Sequence, residues 1–241
     1  MKRPVKDIKV AGWFALVSLL LVGAIWWSWH SYVSTPPYVD PERYPIKGID
    51  ISAHNGYANL DAVAGEGYEF VWIKASEGTD FQDANFSLNY TKARHAGLKT
   101  GAYHFFRFDS DGIDQAVNLL KTVGNRKLDM GIAIDVEEQG NAKGVSPDSI
   151  ADRLQRMIEY LNMSGHSVTL YSNRRGQEKY LGKEFAGYPL WICSFTDNST
   201  QNDWIFWQYN HRGRVAGVRG DVDLNVFHGS RADWQDWLRL H

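Results

Sequence analysis

Two carboxylic acids stand two residues apart in Gly131-Ile132-Ala133-Ile134-Asp135-Val136-Glu137, at the end of an otherwise apolar run. Side chains of a strand alternate between faces, so Ile132, Ile134 and Val136 share one side while Ala133, Asp135 and Glu137 share the other. Cα atoms two apart on a strand are about 6.7 Å from each other. Acids that close resist ionising together, which raises one pKa and suits it to general acid work near neutral pH. Glu138 has the opposite parity and reads as a loop or surface residue. The design recurs in Gly48-Ile49-Asp50-Ile51-Ser52, with Gly48, Asp50 and Ser52 inward. It recurs again where Asp221, Asp223 and Asn225 alternate with Val222, Leu224 and Val226. Taken singly, each acid reads equally as a turn or capping residue. Three strand ends built alike point to one acidic centre of Asp50, Asp135, Glu137 and Asp223.

Aromatic residues fall at comparable strand ends: Tyr103 with His104 and Phe105, Tyr171, Trp191, and Trp207 with Gln208 and Tyr209. Ring faces pack on the CH faces of sugars, while hydroxyl and amide groups fix orientation. Core packing is the competing reading for each ring. Two carboxyl groups flanking one bond is the arrangement of glycoside hydrolysis. Acids and aromatics together therefore point to sugar cleavage.

Eight strands are expected to carry these residues: Lys47–Ile51, Phe70–Ala75, Thr100–Phe106, Gly131–Val136, Ser167–Tyr171, Pro189–Cys193, Trp204–Tyr209 and Asp221–Val226. Helices are expected over Asn85–Ala96, closed by Gly97, and over Ile113–Val123, closed by Gly124. Ser146 caps a third helix, with Pro147 at its first position, through Leu161. A weaker helix covers Gln177–Leu181, and none is expected after Leu190, where short polar links suggest paired strands. Strand–helix alternation with eight strands predicts an α/β fold, an irregular (β/α)8-type barrel with a helix-poor, partly antiparallel C-terminal section. An open doubly wound sheet is the alternative. No GxGxxG follows the first strand and no GxxxxGK[ST] occurs, so nucleotide binding has no support.

The chain has 241 residues, with 26 Lys+Arg against 28 Asp+Glu and one cysteine. That balance gives no basic footprint for nucleic acid. One cysteine makes neither an internal disulfide nor a Cys-based zinc site. The eighteen residues from Val10 to Trp27 carry no charge, and a helix of that length spans roughly 27 Å, close to a bilayer's hydrocarbon core. Lys2, Arg3, Lys6 and Lys9 precede it, which keeps the N-terminus cytoplasmic and exports the rest. A cleavable signal peptide ending near Val22-Gly23-Ala24 is the competitor, although it leaves Ile25-Trp26-Trp27 at a new N-terminus. The expected layout is a cytoplasmic segment 1–9, a transmembrane signal-anchor helix 10–29, a stalk 30–43, and a catalytic barrel 44–241.

The ordered motifs of the barrel resemble the glycoside hydrolase family 25 lysozymes, the Chalaropsis-type N-acetylmuramidases. They are Gly48-Ile49-Asp50-Ile51-Ser52 with Asn55-Gly56, Phe70-Val71-Trp72-Ile73-Lys74-Ala75-Ser76-Glu77-Gly78, Gly101-Ala102-Tyr103-His104-Phe105, Asp135-Val136-Glu137, Tyr171-Ser172-Asn173, Leu190-Trp191, Trp207-Gln208-Tyr209 and Asp221–Asn225. The resemblance implies an irregular α/β barrel acting on the β-1,4 bond from N-acetylmuramic acid to N-acetylglucosamine in peptidoglycan glycan strands. By it, Glu137 is the general acid and later the base. Asp135 orients the substrate's acetamido group or stabilises developing positive charge, and Asp50 and Asp223 position the sugar. The catalytic domain is expected to be a monomer, on the extracytoplasmic side of the cell membrane to which the N-terminal segment exports it. Cys193 and Phe195 stand where Ala and Tyr are common in the family, a change in the sugar groove. Cys193 reads as a buried small residue rather than a nucleophile, for want of a basic partner.

No metal or cofactor is expected. Asp109-Ser110-Asp111-Gly112 has Leu120 where a calcium loop needs its glutamate, and no HExxH occurs. Lys74 and Glu77 read as a supporting pair. A glycan-binding protein that keeps the barrel without turnover is the reading from another functional class. Its discriminator is substrate binding with no new reducing ends.

Overall fold

The computed structural model describes residues 18–19, 21–23, 36–196 and 203–240. Most of the expected membrane segment 10–29, the cytoplasmic segment 1–9 and the stalk up to residue 35 lie outside the described residues. Among the described residues, no helix is long and apolar enough to cross a membrane. Residues 38–241 form one unit by their internal contacts.

That unit is a closed barrel. Its strands are β1 (Lys47–Ile51), β2 (Phe70–Glu77), β4 (Lys99–Phe105), β5 (Ile132–Asp135), β6 (Val168–Asn173), β7 (Leu190–Cys193), β8 (Phe206–Gly213) and β9 (Val222–Phe227), with β3 (Phe81–Gln82) folded back on β2. The order around the sheet is β1-β9-β8-β7-β6-β5-β4-β2, and β1 pairs with β2 to close it. From β1 and β2 through β8, neighbours run parallel, whereas β9 runs antiparallel to both β8 and β1. All eight expected barrel strands are present. The partly antiparallel closure reduces to one reversed strand.

Alternation builds the two layers. Ile49, Ile51, Val71, Ile73, Ile132 and Ile134 point outward and are buried against the helices. Phe70, Trp72, Ala133, Tyr171, Trp191 and Phe206 fill the barrel. Two glycines make room for that interior. A Cβ on Gly48 would lie 2.3 Å from the Phe70 ring, and one on Gly101 would lie 2.2 Å from Trp72. Trp72 thus lies over bare backbone and stacks on Trp191 at 5.2 Å.

Outside lie α1 (Leu60–Gly65), α2 (Phe86–His95), α3 (Gly112–Val123) and α4 (Pro147–Met163). Ser146 accepts from Ser149 N at the start of α4, as its N-cap position requires. The expected weaker helix over Gln177–Leu181 is present, with wide π-type winding.

The absence of helices after Leu190 is corrected by α5 (Arg231–Leu240). Its start is a reciprocal cap: Asp233 N donates to Ser230 Oγ, and Ser230 N donates to Asp233 Oδ2 at 2.7 Å. Trp234 of α5 is buried 5.0 Å from Phe227 and 5.6 Å from Phe70, closing the end of the barrel where β1 begins. Short α1, capped by Asn59, was also unexpected.

Candidate active site

At the other end, where the parallel strands finish, the barrel opens into a cavity of about 620 Å³. This is the end at which α/β barrels carry their chemistry. Asp50, Asp135, Glu137 and Asp223 all line it. Asp50 comes from the end of β1 and Asp135 from the end of β5, with Glu137 two residues beyond. Asp223 comes from the start of β9, and only because β9 is reversed does its start meet the other strands' ends. Asp50 and Asp223 are direct partners across β1 and β9. Asp135 is level with Tyr171 of β6.

Hydrogen bonds fix the roles of the polar groups beneath. Trp191 Nε1, a donor only, gives its hydrogen to Asn225 Oδ1 at 2.8 Å. That turns the Asn225 amide nitrogen toward Asp50 Oδ2, also at 2.8 Å. Tyr171 donates its hydroxyl to Gln208 Oε1 at 2.9 Å, and Gln208 Nε2 in turn donates to the same Asp50 oxygen at 2.9 Å. Asp50 is thereby held by two amides with its other oxygen free of them. Asp135 Oδ1 is buried with no hydrogen-bond partner.

Electrostatics follow from crowding four carboxyls in a closed space. Burial lifts Asp50 to about 6, against the pull of the Asn225 and Gln208 hydrogen bonds. Burial, then the charges of Asp50 and Glu137, lifts Asp223 to about 8. Asp135 is raised well above the carboxylate range by burial and then by Glu137. Glu137 is raised by burial, with the Lys74 ammonium opposing and Asp50 adding. The four titrate as one system, and near neutral pH it retains protons.

Lys74 supplies the opposing charge from β2. It pairs with Glu77 at 2.7 Å and lies 5.4 Å from the ring centres of both Phe81 and Phe105. Arg107 closes on Glu77 from the other side. Lys74 and Glu77 are a supporting pair, as expected, and Lys74 also acts on the acids.

Of the expected sugar-facing residues, Tyr103, Tyr171, Trp191 and Gln208 line the cavity. Three others do not. Trp207 is fully buried on the outer side of β8, its Nε1 bonded to Ser194 O at 2.7 Å, and Tyr209 lies 5.9 Å from it on that side. Alternation sends both outward because Phe206 and Gln208 point in. Phe105 sits beside Lys74 and Arg107, away from the cavity wall. His104 also faces outward, bonded to Ser76 Oγ at 2.8 Å and Gln115 Oε1 at 3.2 Å, and burial lowers it to about 4. Asp221 precedes β9 and pairs with Arg214 at 2.7 Å. Ser52 caps the turn Ala53–Asn55 instead of facing the cavity.

Gln139, Asn173, Ser194 and His211 line the cavity unannounced. Asn173 was legible, being two residues past Tyr171 on one strand face. His211 was not, because pairing shifts after Gln208 break the parity of β8. It meets Phe195, another lining residue, at 4.3 Å between ring centres. Cys193 lines the cavity too, its thiol pushed up to about 12, chiefly by burial. Such a thiol is not a nucleophile at neutral pH.

Residues 49–218 match the family described as Glycosyl hydrolases family 25. The chain belongs to that family. This family 25 chain is 34% identical over 203 residues to Lysozyme M1 of Streptomyces globisporus, covering 78% of this chain and 69% of that one. It is 33% identical over 207 residues to the YegX protein of Escherichia coli (strain K12), covering 82% and 75%. The solved structure of a family 25 glycosyl hydrolase from Bacillus anthracis superposes with a TM-score of 0.76 at 32% identity, covering 84% of this chain and 96% of that one. The family 25 chain is a glycoside hydrolase with a mixed eight-stranded barrel.

Proposed function

We propose that the protein is a muramidase that hydrolyses the β-1,4 bond from N-acetylmuramic acid to N-acetylglucosamine in peptidoglycan. The observation that carries this reading is the pair Asp135 and Glu137, issuing from one strand into a cavity shared with Asp50, Asp223 and the rings of Tyr103 and Trp191. The lysozyme name of the Streptomyces relative supports the substrate class. Glu137, whose burial makes it hold its proton more tightly than a free carboxyl, gives that proton to the leaving glycosidic oxygen and then takes one from the incoming water. Asp135 accepts the N–H of the substrate's acetamido group, a role supported by its place on the cavity wall beside Glu137. Asp50 and Asp223 steady the sugar and the charge that develops on it.

Glu137→Gln keeps the size and loses the transferable proton. It is expected to cut release of reducing ends from purified peptidoglycan by 10²-fold or more, with glycan binding retained. Wild-type turnover in that variant sinks the assignment. Binding without turnover in the wild type points instead to a glycan-binding barrel.

The same reading takes residues 10–29 as an uncleaved membrane anchor, with 1–9 cytoplasmic and the barrel, working as a monomer, on the extracytoplasmic side. The uncharged run behind four basic residues supports it. The full chain is expected in the membrane fraction after a carbonate wash, with its barrel digested by protease added from outside. A soluble, shortened product excludes the anchor.

A further inference from the structure

Glu137 lies beyond the end of β5, so the sheet ladder does not hold its peptide. The last ladder-like contacts stop one residue earlier, where Val136 N donates to Tyr171 O at 2.9 Å and Ser172 Oγ donates to Val136 O at 2.6 Å. The Glu137 carbonyl is instead taken by Asn141. Its Nδ2 donates to Glu137 O at 2.9 Å and to Phe106 O at 2.9 Å, while its Oδ1 accepts from Phe108 N at 2.9 Å. One half-buried carboxamide thus ties the loop after β5 to the loop after β4. Phe108 N is a donor and the other two partners are carbonyl oxygens, so the task needs one acceptor and two donors on a single planar group. Asparagine supplies that set. Aspartate, with no donors, would set charge against two carbonyl oxygens. Glu138, next along the loop, is tied the other way, to Lys179 at 2.9 Å and Arg175 at 3.5 Å after β6.

We infer that Asn141 is a positioning residue for Glu137, holding the peptide of the acid so that its side chain stays within the carboxyl cluster. The inference rests on Glu137 being the proton donor proposed above. The groups that act on Glu137 from the elements around it are Asp135 of β5, Asp50 of β1, Asp223 of β9 and Lys74 of β2. Cys193 of β7 and Tyr171 of β6 face it as well. A loosened Glu137 is better hydrated and releases its proton at lower pH.

The test compares N141A and N141D with wild type in the full-length chain, following reducing-end release from peptidoglycan across pH, with melting temperature measured alongside. In N141A, kcat is expected to fall at least tenfold with KM within twofold. The alkaline limb of its profile should move by half a pH unit or more toward acid. N141D should lose more. Wild-type kcat per folded molecule and an unmoved alkaline limb in N141A overturn the inference, as does an N141A chain that does not fold, which would make Asn141 a residue of the fold first. Failure here with an inactive E137Q leaves the muramidase reading standing, whereas an active E137Q removes that reading itself.

Discussion

Among single residues, Asp223 has the plainest thermodynamic signature. Its pKa rises from 3.8 to about 8 on folding, so between those values the native state holds a proton that the unfolded chain has lost. Stability from this group is full below pH 4 and falls as pH climbs through 8. Asp50 acts with the same sign over a narrower window, up to about 6. Asparagine at 223 removes that linkage. D223N is expected to melt above wild type at pH 8–9 by roughly 5 °C, with the gap closing toward pH 4, while turnover drops. Scanning calorimetry over that range checks it, and a gap independent of pH refutes the shifted carboxyl. The four acids were legible because each sits at a strand end with regular alternation behind it. Their partners were less so: the amide pair Gln208 and Asn225 becomes a clamp on Asp50 only once three separate strands meet.

At the scale of elements, periodicity located every barrel strand but missed α5. Its apolar residues Trp234, Trp237, Leu238 and Leu240 alternate with four charged ones in ten positions, and only Trp234 is fully buried. The readable signal was the cap, Ser230 followed three residues later by Asp233. β8 shows the opposite failure. Its rings were visible, yet Trp207 turned out to be core, because Phe206 and Gln208 already occupied the inner face. His211 entered the cavity through a break in pairing that periodicity does not encode. The buried indole of α5 gives a direct test: Trp234→Ala should lower unfolding free energy by about 3–5 kcal/mol, measured by urea denaturation. A loss under 1 kcal/mol would mean that α5 does not seal the barrel.

For the whole molecule, the two ends of the barrel divide the labour. One end is shut by Trp234 among phenylalanines, and the other is left open over the acids. The reversal of β9 has a further outcome in time. Asp50 and Asp223 become neighbours only when β9 slots between β8 and β1, so the seam of the barrel and its acidic cavity are completed in one event.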